Sequence, residues 1–316
     1  MLSALSLDCE IRTETAGGAD FLSFESDPLT PAQLSFLSRH SSLAFMAEKQ
    51  GDLLRPLDVS FSGYLTEDLP EVLKYKGKTA VPFTKLMLNM ALSLSPFAFS
   101  LRPVTVLDPL CGKGTTCFCA LQNGFSAVGM DQDTKAVREA ADYFERFLQF
   151  HQLKHRLVRR SETCGKESIP VSEFIFADTK ENYQASDTRS LVLATGDTAL
   201  TPALIRKRPA HLIVADLPYG IQHAPQTGRK PGSFAGMLER VLPAWRKSLL
   251  PGGIIALSFN TLTLPVHTVV RELEKADFTP VERDCCTHLR HEVEQAVVRD
   301  VVFAVNEPFR KEEDPE

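Results

Sequence analysis

Thr105-Val106-Leu107-Asp108-Pro109-Leu110-Cys111-Gly112-Lys113-Gly114-Thr115-Thr116 decides how this chain folds. An apolar run ending in an acid, a tight loop with two glycines and a Thr-Thr pair opening a helical pattern describe a nucleotide-like pocket at the carboxyl end of a parallel strand. A phosphate loop of the Walker kind needs a glycine five residues before the Gly112-Lys113 pair, and position 107 is leucine, so that reading fails on spacing. A dinucleotide fingerprint needs a third small residue, for which Cys117 is a loose fit, and it leaves Asp108-Pro109 unexplained. The remaining ligand is S-adenosylmethionine, which has no pyrophosphate to clamp and whose ammonium group suits Asp108.

The chain on either side supplies the rest of such a pocket. Pro82–Ala91 reads as a helix with proline at its start and a Leu/Met face, which puts Phe83 and Thr84 beside the glycine loop. Beyond a helix over 115–122, Ser126–Met130 reads as a strand ending at Asp131, whose carboxylate can accept from both ribose hydroxyls, with Gln132 next to it. Asp133 is the expected cap of a helix over 134–150. Leu191–Ala194 is the next strand, and Thr195-Gly196-Asp197-Thr198 after it sets an acid where adenine would present its N6 amino group. The expected cofactor contacts are therefore Phe83, Thr84, Asp108, Pro109, Cys111, Gly112, Gly114, Thr115, Thr116, Asp131, Gln132, Asp197 and Thr198.

His211-Leu212-Ile213-Val214-Ala215-Asp216-Leu217-Pro218-Tyr219-Gly220 is the second informative stretch. Pro218 keeps Leu217 extended, which aims the Leu217 carbonyl outward beside the Asp216 carboxylate. An exocyclic amino group on a nucleobase is a poor nucleophile because its lone pair is delocalised into the ring. Two adjacent acceptors, Asp216 and the Leu217 carbonyl, would take both N–H bonds and favour a pyramidal nitrogen, while Tyr219 stacks on the base. The expected catalytic residues are Asp216, Leu217, Pro218 and Tyr219, acting by positioning and electrostatics rather than as a strong base.

As a pair, the two stretches resemble the class I methyltransferases that modify exocyclic amino groups, whose signatures are Asp-Pro-x-Cys/Met-Gly-x-Gly-Thr-Thr and Asn/Asp-x-Pro-Tyr/Phe. The resemblance extends over about residues 80–305, and the order of the motifs is that of the tRNA guanine-N2 methyltransferases that carry a THUMP module. Leu217 stands where many relatives have proline, and the N-terminus does not align with a THUMP domain. The resemblance implies a Rossmann-like α/β domain with a mostly parallel seven-stranded sheet and a C-terminal antiparallel hairpin. It also implies conversion of S-adenosylmethionine to S-adenosylhomocysteine and methylation of guanine N2 in tRNA or other structured RNA. DNA adenine or cytosine, a protein glutamine amide, and a non-catalytic RNA-binding role on the same fold stay open as alternatives.

With 316 residues, 43% hydrophobic and 24% charged, the chain has the composition of a soluble globular protein with a large domain and a small one. A net charge of −5 gives no global cationic field, so contact with nucleic acid rests on local basic patches, and duplex DNA is the less favoured partner. The seven cysteines show neither a CxxC pair nor a disulfide ladder, from which we expect no metal and a reduced, cytoplasmic setting. No run approaches membrane-spanning length, and no signal region opens the sequence.

Residues 1–80 read as a small α+β module with a helix over Pro31–Gln50, and 81–310 as the methyltransferase domain. A basic loop, Lys74 to Lys78, leads into the Pro82 helix. An insertion over about 151–190 carries Lys154, Arg156, Arg159 and Arg160, which with Arg229 and Lys230 of a polar loop are the candidate RNA contacts. Phe174–Ala177 reads as a short strand, Ser233–Leu250 as a helix with Trp245 in the core, Ile254–Phe259 as the fifth strand and Pro265–Lys275 as a helix. Val281–Leu289 and Ala296–Val305 are the expected terminal hairpin, and 311–316 an acidic, disordered tail.

Overall fold

A computed structural model describes residues 1–59, 63–73, 75, 78–100, 102–164, 167–206, 208–218 and 234–307. It forms two compact units, Met1–Ser62 and Gly63–Glu316.

In the smaller unit, β1 (Arg12–Ala16) and β2 (Ala19–Ser23) make an antiparallel hairpin. Its two-residue turn is Gly17-Gly18 with φ of 57° and 80°, values that glycine adopts without strain. The helix α1 (Pro31–Leu37) opens on a capping box in which Thr30 and Gln33 satisfy each other's backbone. The helix expected over Pro31–Gln50 stops at Leu37, because the chain beyond it turns and enters a second hairpin of β3 (Ala47–Gln50) and β4 (Leu53–Pro56) around Gly51-Asp52. Both hairpins are largely exposed, and Lys49 pairs with Glu14 at 2.5 Å.

The larger unit begins at 63 rather than at 81, for a packing reason. Tyr64 donates its N–H to the Gln122 carbonyl at 2.8 Å, its ring carries the Arg189 guanidinium at 4.6 Å, and in the short helix α2 (Asp68–Val72) Leu69 is fully buried. The described residues between 63 and 80 thus belong to the larger unit. The helix α3 (Val81–Leu94) follows, and from Thr105 the chain alternates strand and helix: β5 (Thr105–Asp108), α4 (Thr115–Gln122), β6 (Ser126–Asp131) and α5 (Thr134–Phe150).

The insertion is regular β structure. It is a long antiparallel pair, β7 (His155–Cys164) and β8 (Glu167–Phe176), that extends the main sheet through β9 (Arg189–Thr195), after the short α6 (Lys180–Gln184). Then come α7 (Thr201–Ile205), β10 (Ala210–Asp216), α8 (Phe234–Ser248), β11 (Leu249–Asn260) and α9 (Val266–Lys275). The strand expected over Val281–Leu289 does not form; β12 is Thr279–Pro280 and β13 is His291–Glu294, both paired with β14 (Val297–Val305).

Across the sheet the order is β12-β14-β11-β10-β5-β6-β9-β8-β7, with β13 on the side of β14, ten strands where seven were expected. The five from β11 to β9 run parallel; the rest are antiparallel additions at the two flanks. Alternation along the parallel strands explains the two-sided core. Leu107, Ile213 and Ala215 pack with Trp245 of α8 in one buried cluster, and their neighbours Val106, Leu212 and Val214 are equally buried on the other side. There Phe144 of α5 meets Phe118, Phe174 and Phe176 with ring centroids 5.2–5.9 Å apart. Each such side chain contributes about 1.5–3 kcal/mol on burial, so this layer holds the strand ends firmly in register.

Candidate active site

The strand β5 is buried at every residue, and Asp108 leaves it with only 3% of its surface exposed. Burial raises its carboxyl most; the Leu110 N–H at 3.1 Å and the Thr116 hydroxyl pull it back; the charges of Asp131 and Asp216 add to the rise, and the outcome is about 7. The following loop is seated on β6. Cys111 donates its N–H to the Met130 carbonyl at 3.0 Å, and a Cβ on Gly129 would lie 2.9 Å from the sulfurs of both Cys111 and Cys117. Gly114 enters α4 at φ 86°, while Gly112, at φ 48°, has open space where a Cβ would stand. The loop therefore leaves room above its own backbone.

Asp131 ends β6 and receives the Gly112 N–H at 2.8 Å and the Asp133 N–H at 2.9 Å, one on each oxygen. An ionised carboxylate offers about four lone-pair sites, so roughly two remain for a pair of hydroxyls. Asp197 is more committed. Its Oδ1 caps the turn through the Ala199 N–H at 2.9 Å, and Arg240 of α8 bonds both oxygens at 2.9 and 2.8 Å, which leaves little for an adenine amino group. Thr198 faces the core, where its hydroxyl accepts from the Trp245 indole at 2.9 Å. Thr84 is also buried, its hydroxyl turned back to the Ala80 carbonyl at 3.3 Å. Phe83 points toward the C-terminal strands, with Arg299 at 4.5 Å and His291 at 5.1 Å from its ring. Gln132 is exposed.

Asp216 ends β10, whose neighbours are β5 and β11. Parallel pairing of Ile213 with Leu107 puts Asp216 and Asp108 at the same carboxyl edge, and Asp216 is among the charges that raise Asp108. Leu217 is held by its N–H on the Ser258 carbonyl at 2.8 Å, with its side chain buried. Two residues absent from the sequence-based site reach this edge. The Thr79 hydroxyl donates to Asp216 Oδ2, and the Tyr75 hydroxyl is hydrogen-bonded to Thr115 Oγ1 at 2.8 Å. Burial raises the Tyr75 phenol, the bond to Thr115 opposes this, and the charges of Asp108, Cys111 and Asp216 reinforce the rise, so its ring lies within the field of both acids. The only hint in the sequence is an aromatic residue amid the lysines before the Pro82 helix.

Tyr219, Arg229, Lys230 and residues 311–316 lie outside the described residues. Register splits the basic cluster: Arg160 opposes Val171, which opposes Ala194, so it lies level with the carboxyl ends of the parallel strands, two strands beyond β9. Register runs from His155 through Phe176 to Arg189, the start of β9, so the exposed Lys154 and Arg156 sit at the amino edge of the sheet, opposite the acids. Arg159 pairs with Glu145 at 2.9 Å and Arg160 with Glu162 and Glu173 at 3.2 Å. No cluster of metal-ligating side chains occurs among the described residues.

No protein-family model matches this sequence, and no curated protein matches it. Solved structures do. TrmN of Thermus thermophilus aligns with a TM-score of 0.38 at 17% identity, over 94% of this chain and 59% of its own. The T. thermophilus 16S rRNA N2 methyltransferase RsmC, in complex with AdoMet and guanosine, aligns with a TM-score of 0.41 at 13% identity, over 94% of this chain and 50% of its own. A S-adenosylmethionine-dependent methyltransferase of Clostridium acetobutylicum gives 0.41 at 12% identity, over 71% and 91% of the two chains. This chain thus spans about half the length of the two Thermus proteins. In its own strand order, five parallel strands followed by the antiparallel β14, the large unit has the Rossmann-like class I methyltransferase fold.

The donor set fits S-adenosylmethionine. Among the described residues neither Asp108 nor Asp131 is ion-paired, and the buried one is driven to about 7. A cationic group beside Asp108 would restore its charge, and ribose hydroxyls would complete Asp131.

Proposed function

We propose that this protein is a S-adenosylmethionine-dependent methyltransferase acting on an exocyclic amino group of a nucleobase, with guanine N2 in structured RNA, tRNA first, as its substrate. The observation that carries the reading is the shared edge of Asp108 and Asp216, two acids on adjacent parallel strands, with the charge of Asp216 among those that raise the Asp108 carboxyl. RNA is favoured over duplex DNA by the Asp-Leu-Pro-Tyr-Gly form of the second motif and by the net charge of −5.

When bound, S-adenosylmethionine supplies an electrophilic methyl group. Asp108 holds the ammonium end and Asp131 the ribose, while the open surface over Gly112 gives the cofactor room. Asp216 and the Leu217 carbonyl accept the two N–H bonds of the incoming amine and turn its lone pair toward the methyl group. The amine nitrogen sheds a proton readily once alkylated, so the residues position and stabilise rather than abstract. Asp216→Ala should lower transfer at least about 100-fold and leave the Kd for S-adenosylmethionine within about twofold. Calorimetry with a labelled-methyl assay checks this; loss of cofactor binding together with transfer would make Asp216 structural.

A further inference from the structure

The segment between α2 and α3 touches both halves of the site. At one end the Tyr75 hydroxyl bonds Thr115, the first residue of α4, and the Lys113 ammonium lies 5.1 Å from the Tyr75 ring centroid. Lys78 binds the carbonyls of Pro70 at 2.5 Å and Glu71 at 3.3 Å, which ties the segment to α2. Thr79 donates its hydroxyl to Asp216 Oδ2 and directly precedes Ala80, whose carbonyl takes the Thr84 N–H at 3.0 Å as α3 begins. Tyr75, Lys78 and Thr79 are thus anchored on the cofactor loop, on α2 and on the carboxylate in turn.

An aspartate carboxylate turns easily about its last torsion, since that torsion is broad and two-fold. A group that must accept from a flat amine in one orientation needs something to fix its plane. We infer that Thr79 is the positioning residue for Asp216, setting the carboxylate for the incoming amino group. The inference rests on the methyl-transfer reading above. A misplacement of about 1 Å at a reacting centre costs about 100-fold, so a hydroxyl that touches no substrate can still control the rate.

Thr79→Val keeps the shape of the side chain and removes the donor; Thr79→Ser keeps the donor. With the full chain, S-adenosylmethionine and total tRNA as probes, Thr79→Val is expected to lower kcat roughly 10- to 100-fold with the cofactor Kd within about twofold, and Thr79→Ser to return kcat to within about threefold. Thr79→Ala, which also lacks the donor, is expected to lower kcat in the same sense, and it keeps the test alive if Thr79→Val misfolds. Loss of the donor changes the surroundings of the carboxylate it served, so the carboxyl carbon resonance of Asp216 at fixed pH should move in Thr79→Val and return in Thr79→Ser. Full kcat in Thr79→Val, or an unmoved Asp216 resonance in a folded variant, overturns the inference. Failure of the wild-type chain to methylate any acceptor would sink methyl transfer separately, while the resonance still decides whether Thr79 holds Asp216.

Discussion

Asp108 links the stability of the domain to its ligand. Its carboxyl sits at about 7 in the fold against an ordinary value of 3.8, so the folded chain carries an extra proton between those two pH values. A raised acid contributes most to stability below its unfolded value, and that contribution is lost as pH rises toward 7. Without ligand, Asp108→Asn should therefore stabilise the protein at pH 8 by an amount on the order of a few kcal/mol, and the gain should vanish near pH 4. Urea unfolding of both proteins across that range measures it; a constant difference would contradict it. A cationic cofactor needs the ionised form, so its Kd should rise about tenfold per pH unit below 7 in the wild type and stay flat in Asp108→Asn. Asp131→Ala should weaken the cofactor by about 1.5–3 kcal/mol, the scale of hydrogen bonds to a charged group. Unchanged affinity in calorimetry would remove it from the ribose site.

At the scale of elements, legibility followed burial pattern. The strands ending at Asp108, Asp131 and Asp216 are apolar runs closed by an acid, and α4 and α9 appear within a residue of their expected bounds, because periodicity and caps were local. The β7–β8 pair was missed for the opposite reason. As the edge strand, β7 alternates exposed and half-buried residues, and its arginines, spread over both faces with Arg159 and Arg160 paired to local acids, resemble a solvated helix end in the linear sequence. The roles of Thr79 and Tyr75 were not legible beyond the aromatic amid the lysines, since their contacts cross 137 and 40 residues of chain. Because Lys154 and Arg156 lie at the amino edge, charge removal at both should leave kcat unchanged and the salt slope of tRNA binding unaltered, and a slope reduced by about two would show that RNA reaches that edge. Gly129→Ala should cost about 1–3 kcal/mol, because its Cβ meets two buried sulfurs at 2.9 Å with no flexible end to yield.

The whole chain assigns its chemistry to one unit: the acids at 108, 131 and 216, with Tyr75 and Thr79, all fall in Gly63–Glu316. The smaller unit, made of exposed hairpins and a short capped helix, contributes no named site residue. The proposed activity is therefore assigned to the carboxyl edge of the sheet. The most direct measurement is nucleoside mass spectrometry after incubation with methyl-labelled S-adenosylmethionine and, in parallel, total tRNA, ribosomal RNA, DNA and protein, using the wild type and Asp216→Ala. Label recovered as N2-methylguanosine from RNA with the wild type alone is the predicted result; label in no pool, or equal label with Asp216→Ala, would contradict it.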